Sequence, residues 1–154
     1  HQVRRKITSF ALTLAAALAA CGGDGNSLSG SIGRTTPLGF DIVQVRRLQT
    51  SYTIAYLKGS DTIARLAFTP SGAITAGAPQ ALNFANGGNA GVSRAAADRL
   101  TFPTGEGGNI TFDRDPGPLV AGDAVTGTFG LRFTSGDTLS GEFSAPLGIA
   151  SATP

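Results

Sequence analysis

The sequence predicts an all-β domain: an antiparallel meander of about eight strands that closes into a barrel-like sheet, with a β-sandwich as the alternative. From Leu38 onward, short runs of β-prone residues alternate with Gly, Asn, Asp and Pro, which is typical of all-β chains. Within several runs, apolar and polar residues alternate with period two, so each such strand has one apolar face. That face must be covered, and closure into a barrel covers it while limiting exposed edges.

The N-terminal segment predicts an export signal rather than part of the domain. Arg4, Arg5 and Lys6 form a basic cluster, and the fourteen residues from Ile7 to Ala20 are uncharged and mostly apolar. A membrane-spanning helix needs roughly 20 apolar residues, so this run is too short to span. A basic start, a short apolar stretch and small residues at its end are the design of a secretory signal peptide, which we assign to residues 1–20.

The end of this segment is more specific. Leu18-Ala19-Ala20-Cys21 resembles the lipobox of bacterial lipoproteins, and the resemblance covers residues 4–22. It implies that the thiol of Cys21 receives a diacylglyceryl group, that the chain is cut before Cys21, and that the new amino terminus is acylated with a chain such as palmitate. In this resemblance, Gly22 after the cysteine implies sorting to the outer membrane. It leaves open whether the protein faces the periplasm or the cell surface. The alternative is a buried apolar helix that ends at Gly22-Gly23.

Residues 21–37 predict a tether between the lipid and a single β domain over 38–154. The stretch "CGGDGNSLSGSIGRTTP" is rich in Gly and Ser, and its few apolar residues are isolated. Such linkers behave as flexible coils, with a reach of roughly 20 Å for fifteen residues. Because Cys21 is the only cysteine and is assigned to the lipid, the domain must fold without a disulfide.

The clearest hairpin lies between Asp123 and Leu147. The odd-numbered residues of both arms are apolar, so facing positions must have numbers with an even sum, or one face would mix core and solvent residues. A three-residue loop, Ser135-Gly136-Asp137, meets this condition. It predicts three cross-strand pairs, namely Phe133 with Leu139, Phe129 with Phe143, and Val125 with Leu147.

The other elements follow from the same patterns. A loop at Gly59-Ser60-Asp61 predicts that Tyr56 faces Ala64 and that Tyr52 faces Phe68. A glycine-rich loop predicts that Leu100 and Phe102 face Phe112 and Ile110. The remaining predicted elements are a leading strand over 40–45, a short strand over 81–84 and a helical turn within 92–99, where "SRAAADR" contains good helix formers.

The charge balance argues against nucleic acid as a partner. The whole chain has 12 basic and 10 acidic residues, but three of the basic residues belong to the predicted signal peptide. The mature chain therefore carries 9 basic and 10 acidic residues, a net charge of −1, and lacks the excess of positive charge that phosphate binding needs. Arg46-Arg47 is its only adjacent basic pair and predicts a solvated strand end. The expected partners are the bacterial membrane, through the lipid anchor, and an envelope protein.

Few residues suit catalysis or metal binding. The only histidine is His1, which excludes Ser-His-Asp and Cys-His catalysis from the mature chain. Glu106 and Glu142 are the only glutamates, and we expect Glu142 to form a surface ion pair with Arg132. Asp113, Asp115 and Asp123 surround a Pro/Gly turn; we interpret them as turn residues, with a calcium site as the alternative. We expect no catalytic residues, no metal, and no cofactor beyond the lipid on Cys21.

These observations predict a non-enzymatic, outer-membrane lipoprotein with a binding, assembly or envelope-structural role. The alternative is a carrier of a small apolar ligand with a lipocalin-like barrel, since eight strands enclose room for one such molecule. Its cavity would be lined by five phenylalanines, with Phe84 nearby: Phe102, Phe112, Phe129, Phe133 and Phe143. A third alternative, an enzyme that uses carboxylates alone, requires two acidic side chains that converge in one cleft.

Overall fold

The structure, a computed structural model, describes residues 25–150. The predicted signal peptide and the predicted lipidation site Cys21 lie outside the described residues. The fold class is confirmed: the chain forms an all-β, nearly closed, barrel-shaped sheet. Its elements are β1 (Ser27–Ser29), a short 3-10 helix (Ser31–Arg34), β2 (Ile42–Leu48), β3 (Ser51–Lys58), β4 (Asp61–Phe68), β5 (Gln80–Leu82), β6 (Ala90–Ala95), β7 (Gly105–Phe112), β8 (Ala124–Phe133) and β9 (Thr138–Ile149).

The strand order differs from the expected meander at β5 and β6, because β4 pairs with β6 and β5 pairs with β7, and at the contact between β2 and β9. The sheet runs β5-β7-β8-β9-β2-β3-β4-β6, and β1 pairs with β9 outside this path. All of these pairs are antiparallel except β2 with β9, which are parallel, with Val45 opposite Leu147. The sheet is therefore mixed rather than purely antiparallel, because the contact that joins the first and last long strands is parallel.

The interior of the barrel is apolar and filled. The alternation predicted for β3, β8 and β9 is observed, with one face of each strand buried. Phe112 lies among aromatic rings from three other strands, with centroid distances of 5.7 Å to Tyr52, 6.4 Å to Phe68 and 5.6 Å to Phe143. The burial of these side chains provides the main driving force for folding, at roughly 25 cal/mol per Å² of apolar surface.

The C-terminal hairpin lies two residues away from the predicted register. Phe133 N–H donates to the carbonyl of Asp137, so the loop is 134–136 rather than 135–137, and Gly136 has the left-handed φ of 89°. The predicted face was right, but the three predicted pairs were wrong. Leu131 faces Leu139, whereas Phe129 and Phe143 each face a glycine of the other strand.

Glycines opposite phenylalanines explain this register. Gly141 faces Phe129 and Gly127 faces Phe143. A Cβ on Gly141 would lie 2.5 Å from the Phe129 ring and 2.6 Å from the hydroxyl of Tyr56, and a Cβ on Gly127 would lie 2.6 Å from the Phe143 ring. Each ring therefore occupies the space that a side chain on the facing residue would need.

The β3–β4 hairpin confirms its predicted pairs. Tyr52 faces Phe68 and Tyr56 faces Ala64. The loop is one residue shorter than predicted, since Lys58 pairs with Asp61 across Gly59-Ser60. A bulge at Ile63 absorbs the extra residue, so that Ile63 and Ala64 are both buried in succession, as expected where two residues face one.

Two predicted elements are wrong. The glycine-rich stretch expected to be a loop forms β7, which pairs with β5 and β8, and Leu100 is exposed. Gly108 makes this possible, because a Cβ there would lie 2.1 Å from the carbonyl oxygen of Gly130. The predicted helical turn within 92–99 begins instead as strand β6, paired with β4, since tertiary pairing overrides a weak helix propensity.

The structure also differs from the predicted tether. Residues 27–29 form β1, with Ser27 facing Glu142 of β9, and Leu28 and Ile32 are buried in the core. Gly30 allows the close approach, with φ of 138° and a would-be Cβ 2.2 Å from the carbonyl oxygen of Thr138. The domain therefore begins at or before Ser27 rather than at Leu38.

Two asparagines bridge the seam between β5 and β6, where the sheet is not continuous. The side-chain amide of Asn89 donates to the carbonyl of Ala81 and accepts from the N–H of Asn83. The backbone adds one bond, from Ala90 N–H to the carbonyl of Asn83. One side chain thus replaces part of the missing strand ladder and satisfies backbone groups that would otherwise lack partners.

Gly141→Ala tests the glycine–phenylalanine packing. We expect a loss of about 1–3 kcal/mol of unfolding free energy, because the added methyl displaces the Phe129 ring and the Tyr56 hydroxyl. The control is Gly130→Ala on the outer face, where the nearest atom, Ser140 Oγ, is 3.6 Å away. Urea denaturation provides the measurement, and equal midpoints for the two variants would contradict the proposed packing.

Candidate functional site

The five phenylalanines predicted to line a ligand cavity lie in or beside the filled core. Phe112, Phe129, Phe133 and Phe143 are buried, and Phe102 packs against the core. The ring centroids of Phe102 and Phe133 are 5.3 Å apart in a tilted contact, and those of Phe112 and Phe143 are 5.6 Å apart in an edge-to-face contact. The rings therefore contact one another at the distances of ordinary aromatic packing and use the space that the carrier hypothesis assigns to a ligand.

The hydroxyl of Tyr56 makes a polar link across this interior. It donates to the carbonyl of Glu142 at 2.6 Å, which connects β3 to β9. Burial, and secondarily the charge of Glu142, raise the pKa of Tyr56 above its ordinary value. The phenol consequently stays protonated and acts as a structural donor.

One end of the barrel carries a wide, open cleft. Its volume is about 750 Å³. It lies where β2 turns into β3, and the segments after β4 and after β7 form its other walls. Tyr52, Pro70 and Ile74 provide an apolar part, while Gln49, Thr50, Ser71 and Asp115 provide polar groups. A concave site with a few polar groups on apolar walls is the usual form of a binding site.

Arg47 fixes one wall of this cleft. Its Nη1 donates to the carbonyls of Pro116 and Gly117 at 3.0 and 2.9 Å, and its Nη2 donates to the carbonyl of Leu119 at 3.0 Å. The sequence interpretation of Arg46-Arg47 as a solvated strand end is therefore wrong for Arg47, although Arg46 is exposed. The adjacency of the two arginines gave no signal of this role, because the carbonyls come from a loop 69 or more residues away.

Arg94 is a buried cation that the sequence analysis did not single out. Its side chain lies on β6 and donates to the carbonyls of Pro37 and Ile63 and to the carboxylate of Asp98. Its Nε has no hydrogen-bond partner among the described residues. A hydrogen bond from Leu100 N–H, assisted by Arg94, lowers the pKa of Asp98. The pair holds the 35–38 and 96–100 segments against β4.

The acidic residues are spread over turns and the outer surface. Arg132 pairs with Glu106 at 2.5 Å, so the expected pair with Glu142 is wrong, because the register places Thr128 opposite Glu142. Asp113 accepts from Thr126, Asp115 from Gly117 N–H and Asp123 from Val120 N–H. Within residues 25–150, no three His, Cys, Asp or Glu side chains are grouped so as to hold a metal ion.

Residues 25–150 contain no helix of the length and apolar character that a transmembrane span requires.

Arg47→Met tests the cleft wall. We expect a loss of about 2 kcal/mol of unfolding free energy, because three carbonyls lose a charged donor, together with faster amide exchange in 116–122. The control is Arg46→Met on the same strand, which should stay within about 0.5 kcal/mol of wild type. If Arg47→Met left amide exchange in this loop unchanged, the anchoring role would be excluded.

Asp98→Asn tests the electrostatic contribution of the Arg94–Asp98 pair. Since the pKa of Asp98 is lower in the folded state than the ordinary 3.8, its contribution to stability is present above that pH and is lost as the pH falls through the folded-state pKa. We therefore expect wild type to exceed Asp98→Asn in stability at pH 7, and the difference to vanish in acid.

The control for this pH series is Asp41→Asn, at an exposed aspartate with no described ion pair. Thermal unfolding measured from pH 7 into acid should give parallel curves for this control and wild type. A stability difference between wild type and Asp98→Asn that did not change with pH would contradict the role of the charge.

Comparisons of the chain with protein-family models, with curated proteins and with solved structures gave no match.

Proposed function

We propose that the chain is a lipid-anchored protein of the bacterial outer membrane and that its barrel is a non-enzymatic module for binding, assembly or envelope structure. The observation that carries this proposal is the order of the segments. A basic cluster, an apolar run and Leu18-Ala19-Ala20-Cys21 are followed almost directly by a domain whose first strand is Ser27–Ser29.

The described domain is compatible with this order. Its apolar cluster extends from Leu28 to Leu147, and the rings within it are packed on one another. These core residues all follow Cys21, so cleavage before Cys21 would leave them in the mature chain.

The cleft beside Arg47 supports a binding role. Its apolar wall and its polar groups are held by strands β2 and β3 and by the anchored 116–119 loop. A site held by a rigid scaffold lowers the cost of ordering on binding. We propose this cleft as the site for an envelope partner, and we do not extend the carrier hypothesis, because the core rings occupy the barrel interior.

The proposal is tested by analysis of the mature chain and a Cys21→Ser variant, both expressed in a diderm bacterium. We expect mass spectrometry to find a mature chain that starts at Cys21 and carries a diacylglyceryl group and an N-acyl chain. Several acyl chains hold a protein on a membrane almost irreversibly, so the wild-type chain should fractionate with the outer membrane. Cys21→Ser should remain uncleaved at this site and unacylated.

A mature chain that starts upstream of Cys21, or that carries an unmodified thiol, would exclude the anchor.

The binding role is tested separately, by identifying the proteins that co-purify with the detergent-extracted chain. Ser71→Trp fills the cleft and should abolish co-purification, while Ser93→Trp, on the outer surface of β6, should not. Loss with both variants or with neither would exclude the cleft as the binding site.

A further inference from the structure

The outer surface of the barrel has two chemically different sides. On β7, β8 and β9 the outward residues are mainly hydroxyl or small, such as Thr111, Thr128 and Ser140. On β2, β3 and β4 they are aliphatic, small or basic. We call this second side the β2–β4 face, and it consists of Ile42, Gln44, Arg46, Leu48, Thr53, Ala55, Leu57, Thr62 and Arg65.

Charge follows the same division. Residues 40–100 contain six basic and three acidic residues, a net charge of +3, whereas residues 101–150 contain two basic and six acidic residues, a net charge of −4. The ion pairs among the described residues are Arg94–Asp98 and Arg132–Glu106. Arg46 and Arg65 therefore present their charges on the β2–β4 face without a carboxylate partner in residues 25–150.

The β2–β4 face contains a shallow groove, with Leu48 in its lining and Ile42 beyond it on β2. The volume of the groove is about 320 Å³. Ile42 and Leu48 are 52% and 45% exposed, and they stand about 20 Å apart along β2 at 3.3 Å per residue. The other residues of the face are two arginines, small residues, Gln44 and Leu57, and no aromatic side chain lines the groove. Aromatic anchors in deep pockets are typical of protein–protein hot spots, whereas exposed aliphatic side chains with arginines suit a layer of anionic headgroups.

The start of the folded domain brings this face close to the proposed anchor. Gly25 lies against Ser144, since a Cβ on Gly25 would be 3.1 Å from the Cβ of Ser144. Ser144 precedes by three residues Leu147, which pairs with Val45 of β2. Three residues lie between Cys21 and Gly25, and the four steps from Cα to Cα span at most about 14 Å. If Cys21 is lipidated, a link this short keeps the barrel next to the bilayer, so that a face of suitable chemistry can reach the lipid surface.

We propose that the β2–β4 face docks on an anionic phospholipid surface, with Arg46 and Arg65 bound to phosphate-bearing headgroups and with Ile42 and Leu48 at the boundary of the acyl region. The short distance between this face and the membrane rests on the proposed lipidation of Cys21. The charge and the exposed aliphatic side chains of the face do not depend on lipidation. Docking fixes the orientation of the barrel and leaves the hydroxyl-rich side facing away from the membrane.

The absence of tryptophan from the sequence permits a direct test. Leu48→Trp places a single fluorophore on the face, and Asn109→Trp places one on β7, which lies four strands from β3 in the sheet. The full lipidated chain is reconstituted in phosphatidylglycerol or phosphatidylcholine vesicles with brominated acyl chains. We expect a blue shift and loss of emission for Leu48→Trp in phosphatidylglycerol alone, reversed by high salt, and no change for Asn109→Trp.

Charge variants in the Leu48→Trp background test the role of the arginines. Arg46→Glu and Arg65→Glu should each restore the unquenched emission. Arg34→Glu makes the same charge change at an exposed arginine in the 3-10 helix and should leave the quenching intact. If Leu48→Trp unfolds the barrel, as judged by circular dichroism, Ile42→Trp reports on the other end of the same face.

Several results would overturn the proposal. The first is equal quenching of Leu48→Trp and Asn109→Trp, and the second is equal quenching of Leu48→Trp in both lipids. The third is the absence of quenching, which would point to an acidic protein partner instead. A blue shift that depends on protein concentration without vesicles would identify a dimer interface. Mass analysis of the same preparation reports separately on Cys21. If Cys21 is unmodified, vesicles added to the chain still test the face, so failure of the anchor and failure of the docking surface are distinguished.

Discussion

The packing of phenylalanine rings over glycines is the constraint on which the barrel depends. An eight-stranded barrel is narrow enough for side chains to fill its interior, and in this chain rings that lie across Gly127 and Gly141 on the facing strands contribute to that filling. The register of β8 against β9 follows, since a shift by two residues would place ring against ring. The hydroxyl of Tyr56 then reaches the carbonyl of Glu142 because Gly141 leaves room for it.

The same constraint explains what sequence reasoning recovered and what it missed. Period-two alternation identified the buried face of β3, β8 and β9, because that face is a property of each strand alone. The register of the β8–β9 hairpin was missed because the alternation of apolar residues requires only that the numbers of two paired residues have an even sum. Several registers meet this requirement, and the space beside a glycine selects one of them. The glycine-rich β7 was missed for a related reason, since glycines usually mark turns, and here they permit close backbone approach to β8.

Charged residues were harder to place than apolar ones. Arg47 and Arg94 act on carbonyls that are at least 31 residues distant in sequence, and no local pattern announces such contacts. Arg46, next to Arg47, points to the opposite side of the sheet, so one dipeptide supplies both a loop anchor and a surface charge. The predicted phenylalanine cluster was found in the core, whereas the cleft beside Arg47 comes from loops whose positions depend on the closed sheet.

The short strand β1 decides how the barrel would respond to force. It contributes three residues beside β9, with Asn26 bonded to the backbone of Ser144, while the eight-stranded sheet lies behind it. Tension applied at the amino end therefore reaches β1 first and would peel it from β9 before any long strand is strained. Each residue so released lengthens the amino-terminal segment by about 3.5 Å. β1 can thus detach under load and pair again with β9 while the eight-stranded sheet stays intact.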